Sequence, residues 1–211
     1  DQGGVNAGCL CFTSSVAAGN PQGYATVEGT GATGTNLYFP FKKWTHVALT
    51  RDGSYVCRLF QDGIKVATVT ISGGFDFNGA NNGGITIGKS GWNNAEPIGP
   101  VYIADFHMMK GTAKYSTNFS PPEDKLTIDT NTKLLLGASG FYDKSAGRHV
   151  ISVNGDTYID QHAPYDVKSY SASDHGGSAH FPGTSDEIKT SDGSSNEVVL
   201  GTGDFTVELW L

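Results

Sequence analysis

"WTHVALTRDGSYVCRLFQDGIKVATVT", residues 44–70, decides the fold class. Trp44, His46, Ala48 and Thr50 point one way if the stretch is extended, and Thr45, Val47, Leu49 and Arg51 the other. Two further extended runs follow, "SYVCRLFQ" and "IKVATVT". Asp52-Gly53 and Asp62-Gly63 stand between the runs, and Asp-Gly supplies the positive φ that tight type I′ hairpin turns need. Residues 44–72 therefore read as a three-stranded meander.

The same pattern continues outward. "GCLCFT", "GYATVE", "GITIGK", "VYIADFHMM", "TKLLLG", "SAHFPG" and "DEIKT" are short strand-like runs between turn-rich stretches. "VISVNGDTYI" places Asn154-Gly155 between alternating apolar positions, a second hairpin signal. "KGTAKYSTNFSPP" (110–122) breaks the alternation and has room for one helical turn before Pro121-Pro122. No stretch sustains a helical period. The final run, 201–211, alternates Phe205, Val207 and Leu209 with Thr206, Glu208 and Trp210. With 29 glycines, 17% charged residues and strands every 8 to 12 residues or so, the chain reads as all-β, with two facing sheets.

Composition also excludes classes. Net charge is −7, and the only basic pair is Lys42-Lys43, so no basic face is offered to nucleic acid. No run approaches the roughly 18 apolar residues of a membrane span. The three cysteines fit either of two readings: buried apolar side chains, or one disulfide from Cys57 to Cys9 or Cys11.

Three stretches together resemble laminin G-like, concanavalin A-like jelly-roll domains. Residues 44–70 look like that family's W-x-H-V-A-x-x-R-D-G hairpins. "PVYIADFHMMKGTAKYSTNFSPPEDKL" (100–126) is similar to its closing segment, G-T-A-x-Y-x-x-N-F-x-P-P. "GGSAHFPGTSDEIKT" and "GTGDFTVELWL" resemble its opening segment. The resemblance implies a two-sheet antiparallel jelly-roll sandwich. The version with the G-T-A-x-Y ending is frequent in phage tail and microbial surface proteins.

The order is inverted relative to the family. Residues 1–125 resemble the middle and C-terminal part of one domain, and 134–211 the N-terminal part of a domain, with 126–133 as linker. Half a jelly roll would leave apolar sheet faces and strand edges bare. The expectation is that the halves close within the chain, as a circular permutant, or that each is completed by an adjoining unit. Head-to-tail completion of the second kind builds fibres, and the junction-like "SPPEDKLTIDTNTKLLL" favours it.

The expected function is a non-catalytic structural and adhesion module of an extracellular filament, surface protein or virion fibre. Its partners would be copies of itself, adjoining tandem domains and surface glycans. A soluble lectin is one alternative. A glycoside hydrolase of the same fold is another, but its E-x-D-x-x-E carboxylate pattern is missing: Glu208 and Asp105 each stand alone on their strands. For sugar contact, Trp92 in a loop followed by Asn93 and Asn94 supplies an indole face beside amides; the competing reading has Trp92 covering the end of the sandwich. Trp44 and Trp210 lie in strands and read as core or half-buried. His46 reads as a packed strand residue. Calcium is the ion the resemblance implies, and the loops around Asp143 and Asp156 would contribute oxygens, although neither has the acidic spacing of a calcium loop. Asn118-Phe119-Ser120 is a formal N-glycosylation acceptor, followed by Pro121.

Overall fold

The computed structural model describes residues 10–15, 22–27, 33–38, 40, 42–70, 75–76, 85–88, 100–137, 140–165, 177–183, 185–190 and 199–211. Among these every regular element is a strand, and every pairing is antiparallel. The stretch 110–122, which has room for one helical turn, forms none and is irregular beyond Lys110. Among the described residues no helix is long and apolar enough to cross a membrane.

β1 (Leu10–Ser15), β2 (Gln22–Val27) and β3 (Thr33–Tyr38) make a small sheet of their own. β4 (His46–Arg51), β5 (Val56–Gln61) and β6 (Ile64–Thr70) are the meander expected from residues 44–72. β7 (Phe75–Asp76) and β8 (Thr86–Ile87) are brief. β9 (Val101–Lys110) is the longest strand, and β10 (Thr132–Leu136) pairs along it. β11 (Ile151–Asn154), β12 (Tyr158–Asp160), β13 (Ser178–Phe181), β14 (Glu187–Thr190) and β15 (Val199–Gly201) follow. The last strand is β16 (Phe205–Trp210).

The large sheet runs β12-β13-β9-β16-β4-β5-β6, with β10 also on β9. β16 is hydrogen-bonded to β4 on one side, Val207 opposite Leu49, and to β9 on the other, Val207 opposite Met108. The ladder carries on past β16: Thr45 and Leu211 exchange both backbone bonds, at 2.8 and 2.9 Å. The strand nearest the C-terminus thus sits between two strands that precede it by about a hundred residues or more. Strands β11, β14 and β8 form a second layer. The core lies between: Val47, Leu49, Leu59, Met108, Phe205, Val207 and Leu209 from the large sheet meet Ile87, Ile188 and Leu200 from the other side.

The two Asp-Gly turns differ. Asp62 and Gly63 have φ of 47° and 75°, and Gln61 pairs with Ile64, which is the tight two-residue hairpin expected. Asp52-Gly53 departs from that expectation. The loop from Arg51 to Cys57 is longer, and its positive φ falls on Tyr55, at 63°. There the Asp52 carboxylate accepts bonds from Ser54 N and Val56 N and from the Arg58 guanidinium at 2.7 Å, which favours a wider turn.

Asn154-Gly155 is a turn, with Gly155 at φ 71°, but β11 and β12 do not pair. β11 goes to β14 and β12 to β13, so the turn is a corner between sheets. Asp186 explains this: its carboxylate accepts Asp156 N at 2.7 Å, and a Cβ on Gly155 would come within 2.1 Å of it. Cys57 is a buried free thiol, with its pKa pushed by burial up to about 11, which matches the apolar reading.

Asp105 sits on a bulge of β9 with φ of 48° and is 3% exposed. Its Oδ2 accepts Leu126 N at 3.0 Å and the Tyr165 hydroxyl at 2.5 Å, tying two crossing segments to the strand. Burial pushes its pKa up; the Tyr165 and Leu126 bonds and the charges of Lys144 and His107 only partly offset this. Folded protein therefore holds the proton more tightly than unfolded chain. No cost exists below the unfolded value, near pH 4; the cost grows as pH rises and is complete above the folded value. Asp105→Asn keeps an oxygen for both donors and tolerates the left-handed backbone. It is expected to raise the melting temperature by a few degrees at pH 7, with the gain vanishing in melts below about pH 4.

Candidate functional site

The outer face of the large sheet holds a buried ionic cluster. Alternation puts Thr206, Glu208 and Trp210 outward on β16, beside outward-facing His46, Ala48 and Thr50 on β4. Ala48, directly opposite Glu208, is small enough to leave room; His107 is opposite on β9. Yet all six residues of β4 and all six of β16 are buried, so the outer face is covered too.

Residues 111–121 form that cover. Thr206 Oγ1 accepts Lys114 N at 2.9 Å and donates to Thr112 O at 3.1 Å, while Thr50 Oγ1 donates to Tyr115 O at 2.8 Å. The strap is held to the sheet by these hydroxyls, where a fully apolar strand would offer none. Tyr115 and Phe119 stack at 3.6 Å and 5°, and Phe119 meets Phe60 and His46 edge-on at 5.3 and 5.7 Å. Phe119 N donates to Gly63 O at 3.0 Å. A Cβ on Gly63 would lie 1.9 Å from Phe119 O. Gly63→Ala is expected to cost about 2–4 kcal/mol, from its left-handed backbone and the lost strap contact, read as a lower urea midpoint.

Beneath the strap, Glu208 is 0% exposed. Oε1 meets Lys114 Nζ at 2.7 Å and His107 Nδ1 at 3.0 Å. Oε2 accepts the Tyr115 hydroxyl at 2.7 Å, with His46 Nε2 farther, at 3.5 Å. His107 Nε2 in turn meets Thr132 Oγ1 at 2.9 Å. Burial works to raise the Glu208 pKa, but His107, His46 and the Lys114 ammonium outweigh it and hold the carboxyl far below the usual range. Burial, and then the charge of Glu208, pushes the Tyr115 phenol up, so Tyr115 remains a donor. Its two oxygens take three hydrogen bonds, and His46 Nε2 stands by at 3.5 Å without making one. The carboxylate is ionised and closely surrounded.

His46 and Glu208 were both legible as strand residues, but not as neighbours of His107, Lys114 and Tyr115. Cross-strand register is what joins them, and Lys114-Tyr115 arrives from a segment with no periodicity.

The other expected positions fall as follows. Trp92, Asn93 and Asn94 lie outside the described residues. Trp44 is half-buried and Trp210 buried, as expected. Asn118 is exposed, and its side-chain oxygen accepts Lys65 N at 2.9 Å, capping the start of β6. Asp143 is 5% exposed and its carboxylate accepts Leu135 N, Ser145 N, Ser145 Oγ and His149 N at 2.6–3.1 Å, which closes its loop and occupies both oxygens. Asp156 is exposed, and its backbone N serves Asp186. Among the described residues no group of three or more His, Cys, Asp or Glu is gathered to hold a metal ion.

A laminin G family model, described as the concanavalin A-like lectin/glucanases superfamily, matches residues 6–113. That span is just over half of the 211 residues, and the chain belongs to this family. Laminin G-like domains are generally non-catalytic and commonly extracellular, while the superfamily also includes glycoside hydrolases. No curated protein and no solved structure matches the chain.

Proposed function

We propose that this chain is a non-catalytic concanavalin A-like module, a structural and adhesion unit of an extracellular filament, cell surface or virion fibre. The observation that carries the reading is the state of Glu208. A glycosidase needs a carboxyl pair open to substrate, one member holding a proton near working pH. Glu208, central on the large sheet, is sealed under residues 111–121 and held ionised by Lys114 and His107. Its chemistry is that of a clamp joining β16, β9 and the strap.

In this reading residues 1–125 and 134–211 are the two parts of one sandwich in permuted order, joined by 126–133. The pairing of β16 with both β4 and β9 supports closure within the chain over exchange between units. Adjoining copies or tandem domains then meet head to tail as closed modules. Glycan contact through Trp92, Asn93 and Asn94, and calcium in a rim loop, belong to the proposal. The saturation of Asp143 argues for a calcium site elsewhere than that loop.

A glycan array with the chain and its Trp92→Ala variant tests the reading. Binding that the variant loses supports glycan adhesion through that loop. Absence of binding leaves the scaffold role alone. Release of reducing ends from a polysaccharide panel contradicts the non-catalytic assignment.

A further inference from the structure

A second feature of the outer face lies toward the β12 edge. Tyr158, His180 and Tyr102 are register partners across β12, β13 and β9, so their side chains form one row on one face. His180 and Tyr102 stack at 4.3 Å and 17°. Rings turned across this pair flank it. Tyr158 meets His180 at 5.0 Å and 78°, and His162 meets Tyr102 at 5.2 Å and 72°. His162 in turn lies on Trp44, at 5.1 Å and 28°. Five rings thus make a continuous aromatic strip.

Packing accounts for His180, Tyr102 and Trp44, which are half-buried, but not for Tyr158 and His162. Tyr158 is 46% exposed, and His162 is exposed. Both are held in place: Tyr158 by its strand, and His162 by an Asx turn in which Asp160 Oδ1 accepts His162 N at 2.8 Å. Asp160 stands two residues from Tyr158, on the same face of β12, and its charge also reaches the Tyr102 phenol.

We propose that this strip is a sugar-binding platform, with the apolar face of a neutral pyranose laid on Tyr158 and its hydroxyls bonded by Asp160 and His162. Rings that are apolar on the face and polar at the tip suit a ligand of the same mixed character. Charge selects the class of sugar: the Asp160 carboxylate and a chain net charge of −7 repel uronic and sialic acids and accept hydroxyls. The proposal rests on the glycan-contact part of the reading above and moves the contact from the Trp92 loop to the sheet face.

The test is affinity electrophoresis of the full chain in gels holding soluble glucan, mannan, galactan or xylan, with intrinsic tryptophan fluorescence followed in parallel. The expected result is retardation by at least one of them, weakened about tenfold in Tyr158→Ala. Asp160→Asn weakens it too, while Tyr158→Phe and Trp92→Ala bind as the parent does. Tyr158→Ala should melt with the parent; if it does not, Asp160→Asn and Tyr158→Phe carry the comparison. Parent-like binding by Tyr158→Ala, or loss confined to Trp92→Ala, overturns the platform and leaves glycan adhesion standing. Retardation by none of the four overturns the platform and glycan contact together and leaves the scaffold.

Discussion

Glu208→Ala is expected to destabilise the fold by about 3–5 kcal/mol, the usual cost of breaking a buried ion pair from one side. For a chain of this size that is a fall in melting temperature of roughly 6–20 °C. The reason is what remains. Lys114 Nζ, His107 Nδ1 and the Tyr115 hydroxyl now meet Glu208 at 2.7–3.0 Å; His107 and the Tyr115 hydroxyl would lose a partner beneath the strap, while Lys114, its side chain 33% exposed, would turn to water. Removing both ends should hurt less than additivity predicts. In a double-mutant cycle, Lys114→Met with Glu208→Leu is expected to recover part of the loss, since two apolar groups need no partner. The pH dependence has a definite sign. Glu208 is depressed in the folded state, so its stabilisation is complete above the unfolded value, near pH 4.3, and fades as pH falls toward the folded one. Acid unfolding of the parent should steepen below that point, and the Glu208→Leu variant should lose this share of the slope.

Val207→Pro is expected to abolish folding or cost more than about 4 kcal/mol. β16 is flanked on both sides, so each backbone N–H along it has a strand partner, and proline removes one. The substitution also takes a side chain only 2% exposed out of the core. Far-ultraviolet circular dichroism should show loss of the native sheet signal. A cooperative melt near the parental temperature would mean that β16 does not occupy the centre of the sheet.

How far the fold was legible depends on whether a feature is local. The β4–β5–β6 meander and the Asp62-Gly63 turn follow from residues that touch in sequence, and the structure has both. The Asp52 loop looked identical at the dipeptide level, but Asp52 has Arg58 six residues on to bind, and that contact widens the turn. Asn154-Gly155 carries a true turn signal; the partner strands are chosen by Asp186, some thirty residues away. The candidate site is harder still. Glu208 was visible as a lone carboxylate in an alternating strand. Its partners come from β9 and from a strap with no period, and only the register of β16 against β9 brings them together. The aromatic strip has the same character: Tyr158, His180 and Tyr102 are each unremarkable in sequence, and antiparallel pairing makes them neighbours.

Light scattering on the isolated 211-residue chain, across a wide concentration range, probes the placement of β16 most directly. Seating of this strand between β4 and β9 of its own chain predicts a folded 22.2 kDa monomer at the lowest concentrations, with head-to-tail stacking of closed modules reversed by dilution. Dimers or fibres that survive dilution with no folded monomer would contradict it, because β16 would then be filling a neighbour's sheet.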